Sequence, residues 1–241
     1  MFFILMTYAG LVFSAWGNPS IGSEFPPPDG YSQVKGTEFS AWVLDREVEE
    51  AGVPVRTYDG RRVSHAARVV RLPLVPGDRQ QCADSLIRLR AEWQREAGVS
   101  PMFHATSGDP MPWDKFRAGQ KPVERDGRIR WVEGSSRRWE DYLARVFIWA
   151  GTASLEAYDT VVSKEPRPGD ILVDGGFPGH AVLLLDVAVR GEETLVLVGE
   201  GFMPAQNFHV ELGPRKGWWV WKDGVRLPHW GFSSKHLRRF R

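Results

Sequence analysis

The chain holds a single cysteine, Cys82, directly after Arg79-Gln80-Gln81 and at the start of an apolar period. Cys82, Leu86, Leu89 and Trp93 recur at helical spacing, and Gly98 closes the run. The spacing predicts a helix over 81–96 with the thiol in its first turn. A helix start presents unpaired N–H groups and the positive end of the macrodipole. Both favour thiolate over thiol, and the same N–H groups can hold a developing oxyanion. Gln81 adds a side-chain amide able to donate to that oxygen. The competing reading makes Cys82 the first apolar residue of a buried helix face. With one cysteine, no internal disulfide is possible.

A base for such a thiol stands at His180. It opens the run His180-Ala181-Val182-Leu183-Leu184-Leu185, which is apolar on both faces and predicts a well-buried strand. An imidazole at the end of such a strand is held rigidly, as a general base requires. Strands over 180–189 and 194–198, joined by a turn at 190–193, would bring Glu200 back beside His180. Its carboxylate could then accept the second ring N–H, completing a nucleophile, base and orienter. Gln206 and His209 are alternative polar partners for the ring. Cys82, His180 and His209 have zinc-type donor atoms but share no short ligand spacing, so no metal is assigned. His65, His104, His229 and His236 show no partner in the sequence and read as surface or packing residues. Trp113, Trp131, Trp218, Trp219, Trp221 and Trp230 read as core, with a sugar-stacking groove as the alternative.

The elements that must position these groups read as α+β. Helical spacing recurs over 37–46, with Thr37 as cap, and over 138–153. Strand patterns occupy 53–58, 66–74 and, in the last third, 170–174, 180–189, 194–198, 207–212 and 218–222. Residues 99–135, rich in Gly, Pro and Trp, read as an insertion with a hairpin over 128–132. Residues 30–241 show no internal boundary and form one domain. Residues 2–17 carry no charge and fit an export signal, followed by a proline-rich linker over 18–29; no span of the mature chain is long and apolar enough for a membrane. The expected location is therefore secreted or periplasmic. Thirty-one basic residues against thirty acidic ones argue against a dedicated nucleic-acid binder.

The order of these parts resembles the papain-like cell-wall hydrolases, the CHAP class (cysteine, histidine-dependent amidohydrolases/peptidases) with the NlpC-like peptidases beside it. The matching residues are Gln81-Cys82, Pro166 to Asp170, Gly179-His180 and Glu200. The resemblance implies a papain-like core, an antiparallel sheet packed on the nucleophile helix. It also implies Cys82 as nucleophile, His180 as base and Glu200 as orienter; Gln81 and Gln206 remain the supporting candidates read from their positions. A peptide or peptidoglycan-like substrate and no cofactor follow from it. Ala83-Asp84-Ser85 departs from the aromatic pair usual after the CHAP cysteine. Most of the chain is also similar to bacterial exported proteins classed as a domain of unknown function. That likeness rests on Arg79-Gln80-Gln81-Cys82-Ala83-Asp84, Thr106-Ser107-Gly108, Gly169-Asp170, Pro178-Gly179-His180-Ala181 and Met203-Pro204-Ala205-Gln206. The rival to an amidohydrolase is a non-catalytic binding module on the same fold, and acyl transfer is a third use of the same residues.

Overall fold

The computed structural model describes residues 19–241, so the export signal expected over 1–17 lies outside the described residues. Within the linker expected over 18–29, the described residues include a short helix packed on the core. Ser20 caps a short helix α1 (Ile21–Glu24), and Ile21 and Phe25 are buried in the core. Ile21, five residues before the proline run, and Phe25, directly before it, anchor that run against the fold.

The centre is a nine-stranded antiparallel sheet. Its strands are β1 (Ser32–Gln33), β2 (Ala67–Val69), β3 (Thr160–Val162), β4 (Ile171–Asp174), β5 (His180–Arg190), β6 (Glu193–Glu200), β7 (His209–Glu211), β8 (Trp219–Trp221) and β9 (Leu237–Phe240). The order across the sheet is β2-β7-β6-β5-β4-β9-β3, with β1 added to β5 and β8 to β6. The fold class is α+β, as the run of helices followed by strands predicts. On β5 the apolar run feeds both faces. Ala181, Leu183 and Leu185 pack in the larger core with Leu86, Ile87 and Leu89 of α3 (Cys82–Glu96). Val182 and Leu184 pack in a second core with Val225, Leu227 and Phe232. That second core is roofed by a hairpin, Gly224–Arg226 paired with Gly231–Ser233, which the sequence patterns do not predict.

Helix α2 (Glu38–Leu44) matches its expected span. The Thr37 hydroxyl accepts the Ser40 N–H, and the Ser40 hydroxyl accepts the Thr37 N–H. The insertion over 99–135 contains two hairpins, Met102–His104 with Pro110–Pro112 and Gln120–Arg125 with Arg128–Glu133, separated by the helical turn α4 (Trp113–Arg117). The second hairpin turns at Asp126-Gly127, both left-handed, as a tight two-residue loop requires. Helix α5 (Trp139–Trp149) is tied to the first hairpin by the buried Tyr142 hydroxyl, which donates to the Met111 carbonyl at 2.8 Å. The strand expected over 53–58 forms only isolated bridges, to Arg62 and Gln206.

The last strand, β9, slots between β3 and β4 although it reads Leu-Arg-Arg-Phe. Its charges are matched. Arg239 grips the buried Asp170 carboxylate in bidentate fashion at 2.6 and 2.8 Å, and Arg238 reaches Glu156 at 3.1 Å. The Gly169-Asp170 motif is therefore a clamp on the C-terminal strand.

Candidate functional site

Cys82 is the first residue of α3, and α3 packs across β5. Two close backbone approaches set this junction. A Cβ on Gly201, just past β6, would lie 2.5 Å from the Ser85 hydroxyl and 3.1 Å from the Gln81 carbonyl. A Cβ on Gly179, just before β5, would lie 2.4 Å from the Thr152 hydroxyl and 2.7 Å from the Asp174 carbonyl. Glycine at 201 lets the end of β6 close onto the helix start, and glycine at 179 lets the start of β5 close onto Thr152 and the end of β4. As a result the Cys82 sulfur receives backbone N–H groups from Ala83 and from Ala181, the residue after His180. The thiol thus lies against the backbone at the start of β5, while the His180 ring turns to the Phe232 side of the sheet, and no hydrogen bond joins the two among the described residues.

The thiol is 5% exposed, and burial pushes it up to about 11 despite those N–H groups; the Asp84 carboxyl pushes in the same direction. This corrects the sequence expectation of a thiolate favoured at the helix start. Desolvation of a sulfur anion inside the core outweighs the dipole and the N–H groups of Ala83, Ala181 and Cys82 itself. Gln81 also takes a different part from the one expected. Its amide donates to Asp78 at 3.1 Å, and the same Asp78 oxygen accepts the Ala205 N–H at 2.7 Å, tying the helix start to the loop after β6. The donors left around the sulfur are backbone N–H groups. Gln80, not Gln81, is the buried glutamine, and its carbonyl accepts from Arg88 at 2.7 Å.

Asp84 stands in the first turn of α3, with one oxygen accepting the Gln81 N–H at 3.0 Å and the other buried without a partner. Burial pushes its carboxyl up to about 8. The folded chain then keeps a proton that the unfolded chain releases above about pH 4. Stability therefore falls as pH rises from about 4 to about 8, because the native state binds the extra proton there. Asp84→Asn is expected to flatten that fall. Urea midpoints of both chains at pH 4.5 and pH 8 check it, and an equal fall in the two chains would contradict it.

His180 is fully buried. Its Nε2 lies 2.7 Å from Glu200 Oε2, the arrangement hairpin pairing of β5 and β6 predicts. With Nε2–H donating to the carboxylate, Nδ1 is the lone-pair nitrogen, and it has no hydrogen-bond partner among the described residues. Phe202, Trp230 and Phe232 pack around the ring, with centroids at 5.0, 5.4 and 5.8 Å. Gln206 does not reach this ring. It is buried at the bridge to Thr57 and takes no part in the His180–Glu200 bond.

Glu200 serves more than one imidazole. Its Oε1 accepts from His229 Nε2 at 2.8 Å and lies 3.7 Å from His209 Nε2. Burial alone would raise this carboxyl, but hydrogen bonds from His180, His209 and His229 hold it well below the ordinary carboxylate range. His209 in turn contacts Glu211 at 3.4 Å and His65 at 3.0 Å, not His180. Burial pushes His209 down, and the Glu200 and Glu211 carboxylates overcome this and push it up to about 9. His65 and His229, read from sequence as partnerless, both belong to this cluster. His229 arrives on the tip of the roof hairpin, closed by the Leu227 N–H on the Trp230 carbonyl at 2.9 Å. A sequence signal did exist for one pair. His209 and Glu211 are two apart on a strand, hence on one face, and His209 pairs directly with Glu200.

The fold and the site together define an α+β domain in which a buried His180–Glu200 pair stands at strand ends of an antiparallel sheet and the Cys82 helix start packs against the backbone beside it. The chain belongs to the family described as Domain of unknown function (4846), whose model matches residues 21–239. No curated protein and no solved structure matches it. Among the described residues no helix is long and apolar enough to cross a membrane.

Proposed function

We propose that this protein is a cysteine amidohydrolase of papain-like type, exported from the cell, that cleaves an amide bond in peptide or peptidoglycan-type substrates. The observation that carries the reading is the His180 ring, with Nε2 fixed on Glu200 and Nδ1 without a hydrogen-bond partner among the described residues, at the strand start whose Ala181 N–H faces the Cys82 thiol. Because the resting thiol is neutral, His180 Nδ1 takes its proton as sulfur attacks the carbonyl carbon, rather than from a standing ion pair. Backbone N–H groups at the start of α3 receive the oxyanion. Collapse breaks the C–N bond, and the imidazolium returns the proton to the leaving amine. Water, deprotonated by the same nitrogen, then releases the thioester. Glu200 stays ionised throughout and steadies the imidazolium.

The burial of Cys82 and its raised thiol favour the second reading, a peptide- or glycan-binding module that uses the same fold without turnover. Incubating the full chain with purified peptidoglycan and counting new free amines separates the two. The expected result is amine release that Cys82→Ala abolishes, with a thioester mass on the Cys82 peptide after acid quench. Retention on the polymer with no amine release, equal in both chains, would establish the binding module instead.

A further inference from the structure

His65, His209 and Glu211 lie on the far side of Glu200 from Cys82, at the β2–β7 edge. His209 and Glu211 share one face of β7, and Glu211 pairs with Ala67 of β2. His65 stands two residues before Ala67 on the approach to that strand. Three donor atoms converge there. His65 Nε2 is 3.0 Å from His209 Nε2 and 3.2 Å from Glu211 Oε2, and His209 Nε2 is 3.4 Å from the same oxygen. Ligands at about 2.0–2.1 Å from a tetrahedral zinc ion stand about 3.4 Å apart, so the triangle has the edge length of a zinc coordination face.

One edge of the triangle, His65 to His209, is of hydrogen-bond length, but the Glu211 corner is left over. Glu211 is 1% exposed, and its Oε2 makes no hydrogen bond among the described residues although two ring nitrogens stand within 3.4 Å. His209 Nδ1 faces the Asn207 carbonyl at 2.9 Å, which can only accept, so Nδ1 keeps its proton and Nε2 is the nitrogen that would give up its own to a metal. An imidazole held by a backbone carbonyl through its far nitrogen is the usual outer support of a metal-binding histidine. Glu200 Oε1, 3.7 Å from His209 Nε2, turns toward the remaining side.

We propose that His65, His209 and Glu211 bind a divalent transition metal of the zinc class, with Glu200 Oε1 facing the fourth position. Two imidazoles and a carboxylate are a zinc donor set, and the oxygen count is too small for calcium or magnesium. The ion would join β2 to β7 and share Glu200 with His180. The site contains neither Cys82 nor His180, so it stands or falls independently of the hydrolase reading.

The test uses the full chain, stripped with a chelator, dialysed and titrated with zinc alone. Calorimetry and elemental analysis are expected to give one zinc per chain. Cobalt in its place should give the visible bands of a four-coordinate site without thiolate charge transfer. His65→Ala, at the half-open rim, and Glu211→Gln should each weaken zinc binding by about 100-fold or more. Near-ultraviolet circular dichroism confirms that each variant is folded, and Cys82→Ala should leave stoichiometry unchanged. Three outcomes overturn the proposal: no stoichiometric zinc on the folded chain, equal zinc affinity after His65→Ala, or a thiolate band in the cobalt spectrum that Cys82→Ala removes. The first of these would leave the cluster as a proton-sharing network of imidazoles and carboxylates.

Discussion

Cys82→Ala and His180→Ala are each expected to lower amide release from peptidoglycan by about 1,000-fold or more, with little loss for the second change once the first is made. The reason is chemical interdependence: a thiol without its base and a base without its thiol both leave the carbonyl unattacked, so their effects do not add. Glu200→Gln should cost less, because an amide oxygen can still accept the Nε2–H and hold the ring. Folded state must be checked for His180→Ala, since the ring fills a buried space between Phe202, Trp230 and Phe232. Double-variant kinetics on the purified chains decide the matter. Independent, additive losses would mean that the two residues do not act in one step.

The same geometry makes a kinetic statement about the resting enzyme. A thiol held near 11 and almost fully buried is ionised to about 0.01% at neutral pH. Iodoacetamide should therefore label Cys82 slowly at pH 7 and faster as pH rises toward 10. A labelling rate at pH 6 above that of an ordinary free thiol would restore the standing ion pair.

The parts legible in the sequence are those that depend on neighbours along the chain. The helix beginning at Cys82 is written in its apolar period and in Gly98. The β5–β6 hairpin is written in two apolar runs and a short turn, and counting along it placed Glu200 beside His180. What the sequence hid depends on partners far away. Arg238 and Arg239 look like a solvated tail until Glu156 and Asp170 neutralise them inside the sheet. Residues 18–29 look like a linker because three prolines outweigh Ile21 and Phe25 in any local reading. His65 and His229 have no local signal at all, since one reaches Glu211 from an approach to an edge strand and the other reaches Glu200 from a hairpin tip. The thiol is the subtlest case. The helix start was visible and its dipole real, but the depth of burial that reverses its effect comes from distant strands packed against it, with Gly201 past β6 leaving room for Gln81 and Ser85.

Glu200→Ala is expected to destabilise the folded chain by about 3–5 kcal/mol, the cost of removing one partner from a buried ion-pair network. Glu200 is fully buried, and its two oxygens each take a bond from a different imidazole, His180 at 2.7 Å and His229 at 2.8 Å. Without the carboxylate, His180 Nε2–H is left in an apolar cage with no water to turn to. His209, raised by Glu200 and Glu211 together, keeps only one of its two acidic neighbours. His229→Ala is the contrasting variant. Its ring is partly exposed, so the freed Glu200 oxygen gains access to solvent, and the expected loss is about 1 kcal/mol. Urea unfolding of the three chains in excess chelator reads the imidazole–carboxylate contacts alone, free of any bound cation. Equal stabilities for the Glu200→Ala and parent chains would mean that the network is not carrying the fold, and that Glu200 is retained there for its effect on His180.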